Sequence, residues 1–141
     1  MMLTENFSLS ELTHTTTGLM NQPDEDSEVK LLYVANYLLQ PIRNRWGALK
    51  ISSGYRSPAV NAQVKGSATS QHRLGEAVDF TPLEAEMKDV FRWLVQDSGI
   101  AFGQAILEPS WIHVALTRLK GPNYQALTFD GKTYRPYTGV V

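Results

Sequence analysis

Apolar residues recur at steps of three and four between residues 31 and 46, and this spacing predicts the main amphipathic helix of the chain. Gly47 is the expected end of that helix. Pro41 is expected to kink or divide its last turns, because proline has no amide hydrogen and crowds the preceding turn. The predicted buried face consists of Leu31, Val34, Ala35, Leu38, Leu39, Ile42 and Trp46.

A second helix is expected directly after residue 81. Thr81 and Glu84 have the spacing of a capping box, and Pro82 stands at the first helical position. The helix is expected to end at Ser98-Gly99. Its predicted apolar face consists of Leu83, Met87, Val90, Phe91, Leu94 and Val95.

Shorter patterns fill the rest of the chain. Two short helices are expected at residues 9–14, after a Ser8/Glu11 capping box, and from Ser57-Pro58 towards residue 64. Strands are expected at 49–53, 77–81, 103–108 and 111–117, and the Asp130-Gly131 pair predicts a hairpin turn. These elements predict an α+β fold, a small antiparallel sheet with flanking helices.

Two of the strands alternate in an informative way. Residues 78 and 80 are large and apolar, whereas Asp79 between them must point to the opposite face. In the last predicted strand, His113 shares a face with Trp111, and the opposite face of the strand is apolar. The pattern therefore places an aspartate and a histidine within strands that are otherwise built for a core.

Composition narrows the chemistry. The 141 residues, 43% hydrophobic and 19% charged, fit one globular domain over residues 1–141. With 13 basic and 14 acidic side chains the net charge is −1, so the chain lacks the positive field typical of nucleic-acid-binding proteins. The absence of cysteine excludes disulfides, thiolate metal sites and a cysteine nucleophile. Any metal must therefore be held by His, Asp or Glu.

Targeting signals are not recognisable in the sequence. The first 14 residues lack the basic and apolar regions of a secretory signal, so synthesis in the cytoplasm is expected. The most apolar stretch, residues 31–42, includes Asn36, Gln40 and Pro41 and is shorter than the roughly 20 residues that cross a bilayer. We expect no membrane span, no nucleic-acid partner and a monomer.

The three histidines are the first candidates for chemistry. His72 and His113 together with Asp79 would supply two imidazoles and one carboxylate, which fill three positions of a tetrahedral zinc site and leave the fourth for water. The structural alternative is a core His113 bonded to a carbonyl, an Asp79 that caps the following helix, and a surface His72. Spacing alone leaves both open, and His14 is expected at a helix end or the surface.

Three sequence blocks carry a specific resemblance. SGYRSPAVN, SQHRLGEAVDF and WIHVAL resemble, in order and spacing, the signature blocks of the zinc D-alanyl-D-alanine carboxypeptidase family, which includes peptidoglycan carboxypeptidases, vancomycin-resistance dipeptidases and phage endolysins. FSLSELTH and LLQPIRNRWG resemble its compact members, many of them from phages and prophages. The resemblance covers residues 7 to 117 and implies the D-Ala-D-Ala carboxypeptidase/Hedgehog-like fold. The S-x-H-x-x-G-x-A-x-D block is matched at Ser70, His72, Gly75, Ala77 and Asp79.

The resemblance implies that His72, Asp79 and His113 bind one Zn²⁺ per chain, which would acidify a water and polarise the scissile carbonyl. Better-known members carry the general base three residues before the last histidine, but Ser110 occupies that position here. Glu108, five residues before the histidine, is the expected base. Glu76 is a reserve candidate.

Substrate contacts are also implied. Arg56 matches the family's arginine, which contacts the substrate carbonyl or carboxylate, and its guanidinium suits a developing oxyanion. Ser70 is expected to bind substrate or to shape its loop. Tyr55 and Trp111 are expected either to line the substrate groove or to lie in the core, and Gln104 is expected to orient the zinc ligands by hydrogen bonding.

The leading hypothesis is a zinc peptidase that hydrolyses peptidoglycan stem peptides, as a D-Ala-D-Ala carboxypeptidase or an L-alanyl-D-glutamate endopeptidase. The missing secretory signal fits a phage endolysin that reaches the cell wall after holin-mediated release, and it fits a wall hydrolase carried as a virion component equally well. The alternatives are a catalytically inactive zinc-binding or peptidoglycan-binding protein, and a purely structural zinc as in Hedgehog signalling domains. The Tyr-rich segment 124–137 either covers the site or finishes the sheet.

Overall fold

The long predicted helix is present, and it changes from α-helical to π-helical geometry in the turns before Pro41. A computed structural model describes residues 1–139. In it, α1 (Leu9–Leu12) precedes α2 (Glu25–Tyr33), a π-helical segment (Val34–Leu39) and α3 (Gln40–Trp46), and the last three run on without a loop. The Gln40 N–H bonds to the Ala35 carbonyl, five residues back. The expected disturbance at Pro41 is therefore a widened turn that accommodates the ring, and the helix is not divided by a loop.

Capping residues set the starts of the shorter helices. The Ser8/Glu11 capping box of α1 is present, and Asp24 caps α2 by accepting the Ser27 N–H at 2.8 Å. Ser57 caps α4 (Pro58–Gln63) by accepting the N–H of Val60. These three helix starts follow directly from local side-chain chemistry.

The expected capping box after residue 81 is wrong. Strand β2 continues through Pro82, and α5 (Met87–Arg92) begins later, followed by a π-helical segment (Trp93–Asp97). Glu84 instead accepts the backbone N–H of Ala48, and Thr81 donates to the Ser110 carbonyl. Leu83 is exposed rather than part of the buried helix face. Contacts with neighbouring strands therefore override the local capping signal.

Six strands form one sheet in the order β1-β2-β4-β3-β5-β6. All neighbours are antiparallel except β3 and β5, which pair in parallel, so the expected antiparallel sheet has one exception. Its cause is the path of the chain: Ala115 at the end of β4 lies opposite Gln104 at the start of β3, and a short loop then brings Gln125 beside the same residue. The strands are β1 (Leu49–Ser53), β2 (Ala77–Pro82), β3 (Gln104–Leu107), β4 (Ile112–Ala115), β5 (Gln125–Phe129) and β6 (Tyr134–Pro136).

The helices cover one face of this sheet. Val78 and Phe80 of β2 and Ile112 and Val114 of β4 belong to the same buried cluster as the helix residues Leu31, Leu38, Leu39, Ile42, Phe91 and Leu94. The expected hairpin after residue 124 joins β5 to β6 through residues 130–133 and finishes the sheet. Within residues 1–139, no helix combines the length and apolar character needed to cross a bilayer.

Candidate active site

Strand register brings two of the three predicted metal ligands together. Asp79 of β2 lies directly opposite His113 of β4, and Ile106 of β3 lies opposite the same histidine on its other side. Because side chains alternate along a strand, the core residues Val78 and Phe80 force Asp79 onto the face away from the helices. The central strands therefore present an aspartate and a histidine side by side on one face.

His72 reaches this pair from a loop. It lies in a short 3₁₀ helix (Gln71–Leu74), where the Ser70 hydroxyl accepts its backbone N–H at 3.2 Å. Gly75 then turns the chain into β2 with φ of +75°, and a side chain there would also meet the Ser27 carbonyl. A residue with a Cβ is thus disfavoured twice at position 75.

The tautomer of His72 follows from its surroundings. Its Nδ1 lies 2.7 Å from the Gly54 carbonyl oxygen, which can only accept a hydrogen bond. Nδ1 therefore carries the proton, and the lone pair of Nε2 is free on the side of the ring that faces Asp79. The His72 side chain is almost fully buried, which excludes the surface-loop alternative.

The three side chains converge closely enough to hold a metal ion. His72 Nε2 lies 3.3 Å and His113 Nδ1 2.9 Å from Asp79 Oδ1, and all three donor atoms fall within 4.8 Å of one another. Ligand atoms of a tetrahedral zinc are about 3.3 Å apart, given metal–ligand bonds of about 2.0–2.1 Å. The donor set of two imidazoles and one carboxylate therefore fits zinc in number, chemistry and spacing.

Asp79 is held as an anion. Burial by itself would raise its pKa, but the hydrogen bond from His113 and the proximity of the His72 ring outweigh that effect and hold the pKa of Asp79 below its usual value. The guanidinium Nη2 of Arg56 adds an opposite charge 3.6 Å from Oδ2. Asp79 does not cap a helix, because α5 begins only at Met87. The carboxylate is therefore available as a ligand.

Arg56 is fixed beside the aspartate. Its Nε donates to Ser53 Oγ at 3.1 Å, and its Nη1 donates to Asn61 Oδ1 at 3.4 Å. Burial lowers the pKa of Arg56, while the charges of Asp79 and Glu108 oppose that shift. The guanidinium is thus anchored at the edge of the cleft that contains the candidate metal ligands.

Glu108 lies across the same cleft. Gln104, Ile106 and Glu108 alternate with core residues, so β3 and the residue after it point these side chains to the face of His113. The Trp111 indole N–H donates to Glu108 Oε2 at 2.8 Å. Burial raises the pKa of Glu108, and the charge of Asp79 raises it further. A carboxylate of this kind, oriented through one oxygen, is suited to exchange protons.

These groups surround one cleft of about 410 Å³. It contains six of the residues predicted for the site. It also contains residues that the sequence motifs did not single out, among them Arg118 and Tyr134 of the C-terminal segment. The lining residues are Arg56, Ser67, Thr69, Ser70, Gln71, His72, Gln104, Ile106, Glu108, His113, Arg118 and Tyr134.

The remaining predicted residues lie elsewhere. Tyr55 is in the core, 7% exposed, and borders a separate cavity of about 160 Å³ that it shares with His14 and Arg56. Trp111 is not among the residues that line the cleft, but its indole N–H donates to Glu108, which is. Neither ring lines the cleft: Tyr55 takes the core alternative, and a substrate contact by Trp111 stays a prediction.

Two polar candidates are engaged by other partners. Gln104 lines the cleft, but its side-chain amide donates to Gln125 rather than to a histidine. Glu76 pairs with Lys30 at 2.9 Å and accepts from Gln71, outside the cleft lining. Among the described residues, Glu108 is therefore the one carboxylate that lines the cleft.

Comparison with known families agrees with this geometry. A family model described as Peptidase M15 matches residues 5–115. The chain belongs to the Peptidase M15 family. This M15 match includes the three candidate metal ligands, Arg56 and Glu108, and it ends before β5 and β6. A search of curated proteins found no match to the chain.

Proposed function

We propose that this M15 chain is a zinc peptidase that hydrolyses peptide bonds in the stem of bacterial peptidoglycan. The observation that carries the proposal is that Glu108 lines the same cleft as His72 and His113, the two histidines that converge on Asp79. A group of three metal-ligating side chains alone would be equally compatible with a zinc ion that has only a structural role. A half-buried carboxylate beside it adds the proton acceptor that hydrolysis needs.

The metal supplies one part of the chemistry. Bound zinc would polarise the scissile carbonyl and acidify the attacking water. His72 and His113 would hold it as neutral imidazoles, with the Gly54 carbonyl fixing the tautomer of His72. Asp79 would contribute one negative charge, so zinc with its three protein ligands would keep a net positive charge.

Glu108 performs the proton transfers in this proposal. Trp111 occupies Oε2, so the other carboxylate oxygen, Oε1, is the one free to accept a proton from the attacking water. The proton then passes to the nitrogen of the leaving amine as the peptide bond breaks. The raised pKa of Glu108 brings its affinity for a proton closer to neutral pH, which favours both halves of that exchange.

Arg56 stabilises charge that develops on the substrate. Its guanidinium is held by Ser53, Asn61 and Asp79 and still borders the cleft. A donor that is already oriented pays little reorganisation when the carbonyl oxygen becomes an oxyanion. This position also suits the carboxylate of a peptide terminus.

The test is the release of new amino groups from purified peptidoglycan by the zinc-loaded protein. Glu108→Gln should retain zinc and lower the rate by about 10²- to 10⁴-fold, the usual effect of losing a general base. Glu76→Gln is the matched control, because Glu76 lies outside the cleft, and it should cut at the native rate. Mass analysis of the products distinguishes terminal D-alanine release from cleavage at L-alanyl-D-glutamate.

Two results would count against the proposal. Zinc binding without release of amino groups from peptidoglycan preparations of differing stem composition would favour the inactive binding protein. Equal rates for the native protein and Glu108→Gln would remove Glu108 from the mechanism.

We propose, finally, that the enzyme acts on the cell wall as a phage-type lysis enzyme. The resemblance of its N-terminal blocks to compact phage and prophage members supports this. Cells with a permeabilised outer layer should lose turbidity when the native protein is added, and Glu108→Gln should leave the turbidity unchanged.

A further inference from the structure

The C-terminal segment completes the cleft although it lies beyond the family match. The match ends at residue 115, and residues 118 and 134 both line the cleft. We propose that residues 117–139 form a specificity element, in which Arg118 binds a free carboxylate of the peptide substrate and Tyr134 forms the adjoining wall. This inference rests on the proposed peptidase function and deepens it.

The segment is firmly joined to the sheet. Its strand β5 pairs in parallel with β3, and β6 pairs with β5. The Tyr124 and Tyr137 rings pack edge to face on Phe102 and Phe91 of the body of the protein. A wall that is attached through both strands and core contacts can hold a side chain in a defined place.

Arg118 is anchored through its backbone. The Asn123 side-chain amide accepts the Arg118 N–H and donates to the Arg118 carbonyl, both at 2.8 Å. This clasp closes the loop of residues 118–123 and leaves the arginine side chain at the cleft. Within residues 1–139, no carboxylate lies within ion-pair distance of its guanidinium.

The two arginines of the cleft therefore differ. Arg56 is committed to Ser53, Asn61 and Asp79. Arg118 has a planar fork of N–H donors and no acidic partner among the described residues, which matches a carboxylate supplied by a ligand. Within residues 1–139, the one carboxylate that lines the cleft, on Glu108, is already paired with Trp111 and is needed for proton transfer.

Tyr134 is positioned by its neighbour across the hairpin. Its ring stacks on Phe129 with centroids 4.3 Å apart. Burial raises the pKa of the Tyr134 hydroxyl, and the charges of Glu108 and Asp79 raise it further, so the hydroxyl stays protonated and able to donate. A fixed ring with a donor at its tip suits a peptide backbone lying along the cleft.

The substrate class follows from these contacts. A peptide that binds here carries a free carboxylate that Arg118 can pair with. In a peptidoglycan stem this group belongs either to the glutamate side of the peptide or to the terminal alanine, and the two share the chemistry that Arg118 recognises.

The experiment uses three synthetic stem pentapeptides: one with both carboxylates free, one with the glutamate carboxylate amidated, and one with the terminal carboxylate amidated. Binding is measured by calorimetry with zinc-loaded Glu108→Gln protein, with and without Arg118→Ala, and KM and kcat are measured in the catalytically intact background. Arg118→Ala should weaken binding of the free peptide about fivefold and raise its KM by a similar factor, the scale of a partly exposed arginine–carboxylate pair. Arg118→Lys should restore part of the loss.

Amidation identifies the carboxylate. The peptide whose amidation removes the effect of Arg118→Ala carries the group that Arg118 binds. Lys120→Ala is the control, because Lys120 is in the same loop but does not line the cleft, and it should change nothing. Tyr134→Ala should raise KM for all three peptides, and Tyr134→Phe should do so less.

The outcomes separate the two proposals. Hydrolysis of any peptide by the native protein supports the peptidase function whatever Arg118 does. Equal affinities of the Arg118→Ala and parent proteins for all three peptides, or no measurable binding of any, would overturn the specificity element even if the wall itself were cut.

Discussion

The two faces of the central strands differ sharply in chemistry although they alternate residue by residue. On the face that the helices cover, Val78, Phe80, Ile112 and Val114 are fully buried and apolar. On the opposite face, Asp79 and His113 come from the same two strands, one residue away from those core side chains.

This difference shows how a domain of 141 residues can contain both a core and a polar site. The core face supplies the free energy that holds the strands in register. Register in turn sets the distance between Asp79 and His113, because a slip by one residue would exchange the faces. Substitutions on the two faces should therefore have different consequences, one for stability and the other for chemistry.

The largest expected effect on stability is at the core face. Phe80→Ala should lower the free energy of unfolding by about 3–5 kcal/mol, because it removes a fully buried ring and leaves a cavity. Denaturant-induced unfolding of the metal-free protein measures this loss. Lys50→Ala, an exposed change in the neighbouring strand β1, should stay near the native value. A Phe80→Ala protein of native stability would show that the apolar face does not hold the register.

A smaller effect is expected from the partner of the base. Trp111→Phe removes the N–H that Glu108 accepts and should reduce kcat on the order of threefold to tenfold. This hydrogen bond lowers the Glu108 pKa, so its loss raises that pKa further. Because the base acts when deprotonated, the acid side of the pH–rate profile should move to higher pH. An unchanged pH–rate profile would show that Trp111 does not influence the pKa of Glu108.

The smallest effect is expected on the free energy of unfolding when Glu108 itself is replaced. Its folded-state pKa is raised, so ionisation costs the folded state free energy, and that cost is present above the folded-state pKa. Glu108→Gln should therefore leave the free energy of unfolding at neutral pH unchanged or slightly higher, within about 0.5 kcal/mol. A clear loss of stability would show that Glu108 stabilises the folded state.

Much of the site could be predicted because its signals are local in sequence. The S-x-H-x-x-G-x-A-x-D block contains His72 and Asp79, and strand alternation places Asp79 away from the core. The two helix starts at Ser8 and Ser57 were equally local. In each case a few neighbouring residues determine the conformation, and the structure confirms it.

Other features depend on contacts between distant residues. The Thr81/Glu84 pattern had the form of a capping box, but Glu84 bonds to Ala48, 36 residues earlier. The parallel pairing of β3 and β5 follows from the direction of an intervening loop. Arg118 and Tyr134 reach the cleft only because that pairing exists, so no motif in the sequence identified them.

We propose that one metal ion binds where the polar face of the sheet meets the loop of His72. Zinc per chain, measured by elemental analysis after equilibrium dialysis, tests it most directly in the native protein and in Asp79→Ala. We expect one zinc per native chain and nearly none in the variant, with Glu76→Gln at the native value. No zinc in the native protein, or an equal amount in Asp79→Ala, would contradict it.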